Sequence, residues 1–253
     1  MKLICDDRFQ DSGYADDNAA MPGRMEAALS AVREGPWPLV APVPATLEQL
    51  LLAHDADYLR AVAEDRSRFA MASLAVGGAI LAARLAHGGE PAFACVRPPG
   101  HHAARDGAWG HCTFSNVAAA LLVLRAEQRI DSAFVLDIDA HSGDGTRRVL
   151  AGWPQAEVFN PFADDAREYL EVVEARLSAL GPKGILAVSA GFDAYRHDVG
   201  HKLDTADFER IGELVRKASL RTARGRRFAV LEGGYYLKDL GANVLAFCRG
   251  FAG

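Results

Sequence analysis

Asp137, Asp139 and His141 take alternate positions in the run Asp137-Ile138-Asp139-Ala140-His141-Ser142-Gly143-Asp144-Gly145, directly after the apolar segment Ala133 to Leu136. Alternate side chains of an extended chain share one face, so two carboxylates and an imidazole would project together from a strand end. That is a partial ligand set for a divalent metal, zinc or ferrous iron. Taken alone, the run reads equally well as a solvated strand end with turn-forming aspartates. A catalytic zinc site needs a third protein ligand and an open position. Asp193, in Ser189-Ala190-Gly191-Phe192-Asp193, is the best candidate because Gly191 lets the backbone approach closely; its other reading is a turn or cap residue. A metal so held can acidify a water and polarise a carbonyl.

His101 and His102 form the natural acid–base pair. Pro98 and Pro99 restrict the chain that delivers them and Gly100 permits a tight turn. Asp137 and Asp144 flank the metal ligands and are free to partner imidazoles; a carboxylate accepting from one ring nitrogen fixes the tautomer and favours the protonated ring. Tyr235 follows Gly233 and Gly234, where its hydroxyl could reach a developing oxyanion. His111, His197 and His201 lie close enough in sequence to line the mouth of such a site, or are simply exposed. His54 and His87 sit in helical surroundings and are poor ligand candidates.

These residues need a scaffold, and the 253-residue chain supplies one suited to a single domain spanning 1–253. Strands are expected at Lys2 to Cys5, Ala92 to Val96, Ala133 to Leu136, Gly184 to Val188 and Phe228 to Leu231. Helical patterns run over 25–33, 47–52, 58–64, 71–86, 118–127, 169–180, 205–223 and 241–249, and Pro36 to Pro44 reads as an extended surface segment. Alternation of this kind predicts a mostly parallel sheet covered on both faces, with a binding crevice beyond the carboxyl ends of the strands. All four polar clusters follow a strand. The composition is ordinary for a globular protein, with 50% hydrophobic and 24% charged residues. A net charge of -5 argues against a basic field for nucleic acid. The longest uncharged run, Phe69 to Ala83, is short of the roughly 20 residues a membrane span needs, so no membrane association is expected. Four scattered cysteines and the lack of a signal-peptide core point to a reduced, cytoplasmic protein. The oligomeric state is left open.

Together the stretches Arg97 to Ala103, Asp137 to Thr146, Ser189 to Ala194 and Glu232 to Tyr235 resemble the histone deacetylase superfamily, which includes the acetylpolyamine amidohydrolases. The likeness begins near Ala45-Thr46-Leu47 and runs to the C-terminus. It implies an arginase/deacetylase-like three-layer α/β fold with a central parallel sheet flanked by helices. It further implies a zinc-dependent hydrolase of N-acylated amines such as acetyl-lysine or acetylpolyamines, with iron as the other metal. Asp139, His141 and Asp193 match the family's metal ligands. His102 matches the general base and acid, and His101 its electrostatic partner. Asp137 and Asp144 match the carboxylates paired with His101 and His102, and Tyr235 matches the tyrosine that polarises the carbonyl. A potassium ion near the strand bearing Asp137 is also implied, though the segment after Val158 is shortened to Phe159-Asn160-Pro161-Phe162-Ala163. Gly110-His111-Cys112 stands where the family has Gly-Phe-Cys, and Gly200 where a leucine-like rim residue is usual, so a wider and more polar substrate channel is expected. A ureohydrolase would want a second carboxylate two residues beyond Asp193, where this chain has Tyr195. A non-catalytic binder of acylated ligands is a third reading.

Overall fold

In the computed structural model, which describes residues 1–253, seven strands form one all-parallel sheet. Along the chain these are β1 (Lys2–Ile4), β2 (Leu39–Val40), β3 (Ala92–Ala94), β4 (Ala133–Asp137), β5 (Ala156–Phe159), β6 (Ile185–Ala190) and β7 (Arg227–Leu231). Across the sheet the order is β2-β1-β3-β7-β6-β4-β5. Every residue of β3, β4, β6 and β7 is buried, which is why they read as unbroken apolar runs rather than alternating ones. Register aligns their carboxyl ends: Asp137 lies beside Ser189, Ala190 beside Leu231, and Ala94 beside Val230.

The five expected strands are present, and the sheet has two more. β2 falls inside the proline-rich segment read as surface chain, and β5 follows α6. Both are short edge strands with no fully buried position, so neither leaves a continuous apolar run in the sequence.

Nine α-helices accompany the sheet: α1 (Arg24–Arg33), α2 (Leu47–Ala53), α3 (Ala56–Ala63), α4 (Arg66–His87), α5 (Asn116–Ala126), α6 (Asp144–Leu150), α7 (Ala166–Ser178), α8 (Thr205–Thr222) and α9 (Leu237–Ala252). One group packs α4 against α5, with α2 and α3 beside them; another packs α8 against α9, flanked by α1 and α7. The amphipathic α8 buries Phe208, Ile211, Val215 and Ala218 at helical spacing, and the Asp207 carboxylate accepts from the Asp204 N–H at its start (2.7 Å). α4 opens on Asp65, whose carboxylate accepts from Ser67 N and Arg68 N. It is long and apolar enough to cross a membrane, but 72% of its most apolar window is buried inside this molecule, as befits a core helix. Cys5, Cys95, Cys112 and Cys248 are buried and unpaired.

Candidate metal centre and active site

The four polar clusters emerge from β3, β7, β6 and β4, which are consecutive neighbours in the sheet. Their carboxyl ends therefore deliver His101 and His102, Tyr235, Asp193, and the run beginning at Asp137 into one crevice. Asp137, Asp139 and Asp193 are buried, His101 and His102 nearly so, while His141 is half-exposed.

Asp139, His141 and Asp193 face one another, with their ligand atoms all within 4.8 Å. Asp139 Oδ1 accepts from His141 N and lies 3.0 Å from His141 Nδ1; Oδ2 accepts from Gly233 N (2.9 Å). Asp193 Oδ1 accepts from Ala140 N (2.8 Å). His141 Nδ1 lies 2.9 Å from Asp193 Oδ2 without being aimed to bond it, which leaves that oxygen with no hydrogen-bond partner. Burial and the Asp139 charge push the Asp193 carboxyl up, whereas the cationic side of His101 and bonds from His141 outweigh burial and hold Asp139 low. The hydrogen bond to Asp139 and the adjacent Asp193 carboxylate raise His141 to about 10. Two buried carboxylates and one imidazole converge on a point, and this donor set suits zinc or ferrous iron. The surrounding backbone leaves that point clear: a Cβ at Gly191 would stand 2.3 Å from Asp139 Oδ2, and one at Gly233 2.6 Å from the same oxygen. Tyr195, by contrast, donates its hydroxyl to Asp239 (2.9 Å), outside this trio.

Beside the trio stand two imidazole–carboxylate pairs. His101 Nδ1 is 3.1 Å from Asp137 Oδ2, and His102 Nδ1 is 2.8 Å from Asp144 Oδ1. Both nitrogens donate, because a carboxylate only accepts. In a neutral ring, that leaves Nε2 unprotonated. Burial and the neighbouring His101 charge lower His102 to about 4, keeping it neutral. Burial also opposes charge on His101, but Asp139 and Asp137 overcome it and raise that ring well above its usual range. The Tyr235 hydroxyl is pushed upward by burial and stays protonated. Its backbone N–H donates to Asp198 Oδ2 (2.5 Å), as does that of Tyr236 (2.8 Å).

A pocket of about 180 Å³ opens onto these groups and is lined by His101, His102, Asp139, His141 and Tyr235. His111 lines it too, with its ring edge-on to Tyr235 at 5.5 Å. Gly110 also lies on the wall, whereas the rim position given to Gly200 is filled by Val199. Gly200 turns inward instead, where an added Cβ would meet Ala194 Cα at 2.6 Å. His197 packs its ring beside Tyr195 and Tyr236, and His201 is exposed with Nδ1 on the Arg196 carbonyl; neither lines the pocket. Trp109 does, so the wall that lost its aromatic at position 111 regains one two residues earlier.

Several supporting residues have no local signature in the sequence. Glu232 is fully buried and accepts from Gly100 N (2.6 Å) and His101 N (3.1 Å), fixing the loop that carries the histidines. Arg24, also buried, donates to the Glu232 and Gly234 carbonyls and lies over the Tyr235 ring. Asn160 fastens the shortened segment: Nδ2 donates to the Asp137 carbonyl (3.3 Å), and Oδ1 accepts from Gly143 N and Arg147. One strand carbonyl near the potassium position implied by resemblance thus already has a donor.

Known proteins share this arrangement to different depths. A description of the histone deacetylase domain matches residues 18–169 and 160–251. A probable deacetylase of Methanothermobacter thermautotrophicus is 30% identical over 91% of this chain and 85% of its own length. Acetylpolyamine amidohydrolase 2 of Pseudomonas aeruginosa is 29% identical over 67% of this chain, but the match spans only 58% of that relative. The crystal structure of the HDA15 HD domain covers all of this chain and 91% of its own with a TM-score of 0.86 at 21% identity, a likeness of fold. With both halves of the chain matched to one domain and the strand-end clusters in a single crevice, the protein belongs to the histone deacetylase family.

Proposed function

We propose that this protein is a metal-dependent amidohydrolase that removes acyl groups, acetyl foremost, from N-acylated amines such as acetyl-lysine or acetylpolyamines. The observation that carries the reading is the convergence, in one pocket, of the Asp139–His141–Asp193 trio with two histidine–carboxylate pairs and a protonated tyrosine. Asp139, His141 and Asp193 would hold zinc or ferrous iron, which would supply Lewis acidity to an acyl carbonyl and a water. His102, neutral and oriented by Asp144, takes a proton from the attacking water at Nε2 and later gives one to the departing amine nitrogen. His101, cationic between Asp137 and Asp139, stabilises negative charge building beside it. The Tyr235 hydroxyl donates to the carbonyl oxygen as it gains charge. The products are a carboxylate and a free amine. Four buried thiols support a reducing, cytoplasmic setting.

The test is release of amine from a panel of acetyl-lysine peptides, acetylpolyamines and longer acyl amides, with zinc-loaded and chelated protein side by side. Hydrolysis by the loaded form alone is expected. Stoichiometric zinc with no hydrolysis across the panel sinks the proposal, and tight binding of an acylated ligand without turnover would establish a binding protein instead.

A further inference from the structure

The geometry points to Trp109 as a positioning residue for this reaction: its indole fixes the Asp144–His102 pair. The inference rests on the hydrolase reading of the site. Trp109 Nε1–H donates to both Asp144 carboxylate oxygens (3.2 and 3.1 Å), and Oδ1 also accepts from His102 Nδ1. The indole stacks on the His102 ring, with centroids 3.6 Å apart and planes 29° from parallel. Turning the imidazole so that Nε2 leaves the pocket must break the stack together with the shared carboxylate. Asp144 needs such a restraint because its side chain is 29% exposed and would otherwise turn toward water. Trp109 is itself 52% exposed, so core burial does not account for an indole here. Gly110 suits the turn that delivers it, with φ +62 and a Cβ there lying a tight 3.1 Å from His102 Cδ2.

Trp109→Phe keeps an aromatic face and loses the N–H. It is expected to lower kcat about tenfold with KM little changed, since a hydrogen bond to a charged group is on the order of a tenfold effect or more. Trp109→Ala should lower kcat further. In an Asp144→Asn background, W109F should cost no more than about twofold, because the two act as a unit. Loss confined to KM, or an undiminished W109F effect in D144N, overturns the inference. A second measurement needs no turnover. With ¹⁵N-labelled tryptophans the three indole N–H signals are resolved, and the one missing in W109F should move upfield in D144N. A signal that stays put overturns the hydrogen bond, whereas failure of the hydrolase reading shows separately as native protein without activity.

Discussion

At the scale of single residues, the candidate metal trio depends on what is missing around it. A methyl group at Gly233 would stand 2.6 Å from Asp139 Oδ2 and 3.0 Å from Asp193 Cγ, while the same residue's N–H orients Asp139. Gly233→Ala should therefore weaken zinc retention roughly tenfold or more, the usual cost of disturbing a ligand's outer partners. Competition against a chelator, with circular dichroism to verify folding, measures it; unchanged retention would show that the cradle tolerates a side chain. Tyr235→Phe should do the opposite, keeping zinc and lowering kcat by about a hundredfold or more through loss of one donor to the oxyanion. Parallel loss of metal and turnover would contradict that role. Asp139 and His141 were legible in the sequence as a carboxylate and an imidazole two residues apart after an apolar run, although β4 ends at Asp137 and both sit in the bend beyond it. Glu232 and Trp109 were not, since each acts through a partner 35 or more residues away.

Elements are tied together by polar residues that look unremarkable in the chain. His54, following α2, lies buried between two backbone segments: Nδ1 donates to the Ala104 carbonyl (2.8 Å) and Nε2 accepts from Ser115 N (2.9 Å), just before α5. That pattern requires the neutral ring, and burial lowers His54 to about 4. Its folded pKa thus lies below the unfolded value near 6.5, so the unfolded chain binds a proton first. His54 should withdraw stability as pH falls from about 6.5 to about 4, on the order of 3 kcal/mol in all, and no more below that. Urea unfolding across this range should be steeper in pH for the native protein than for His54→Asn; identical slopes would refute the role. The sequence showed the five buried strands and eight helices because burial on a face writes a period or a run. It hid β2 and β5, which are edge strands, and α6, whose opening Gly143-Asp144-Gly145 has the chemistry of a turn.

At the scale of the whole molecule, folding brings two buried carboxylates together at the sheet's carboxyl edge, and a cation between them would relieve their repulsion. Zinc at a thousandfold excess over its dissociation constant stabilises the fold by about 4 kcal/mol. For a chain of this size, that corresponds to a rise in Tm on the order of 10 °C. Scanning calorimetry with zinc and with chelator tests this; coincident transitions would mean that the trio does not hold metal in the native state. The crevice as a whole was legible because every cluster follows a strand. The order of strands was not, and it carries a further consequence. β7, the last strand made, inserts between β3 and β6 rather than at an edge. A nascent chain that has emerged only as far as α8 has every residue of the candidate metal trio and both histidines, but its sheet lacks the strand that lies between β3 and β6. It also lacks Gly233 and Tyr235. On the proposed function, then, a chain cut short by translation or proteolysis before Arg227 lacks both the strand between β3 and β6 and the tyrosine, and should be inactive.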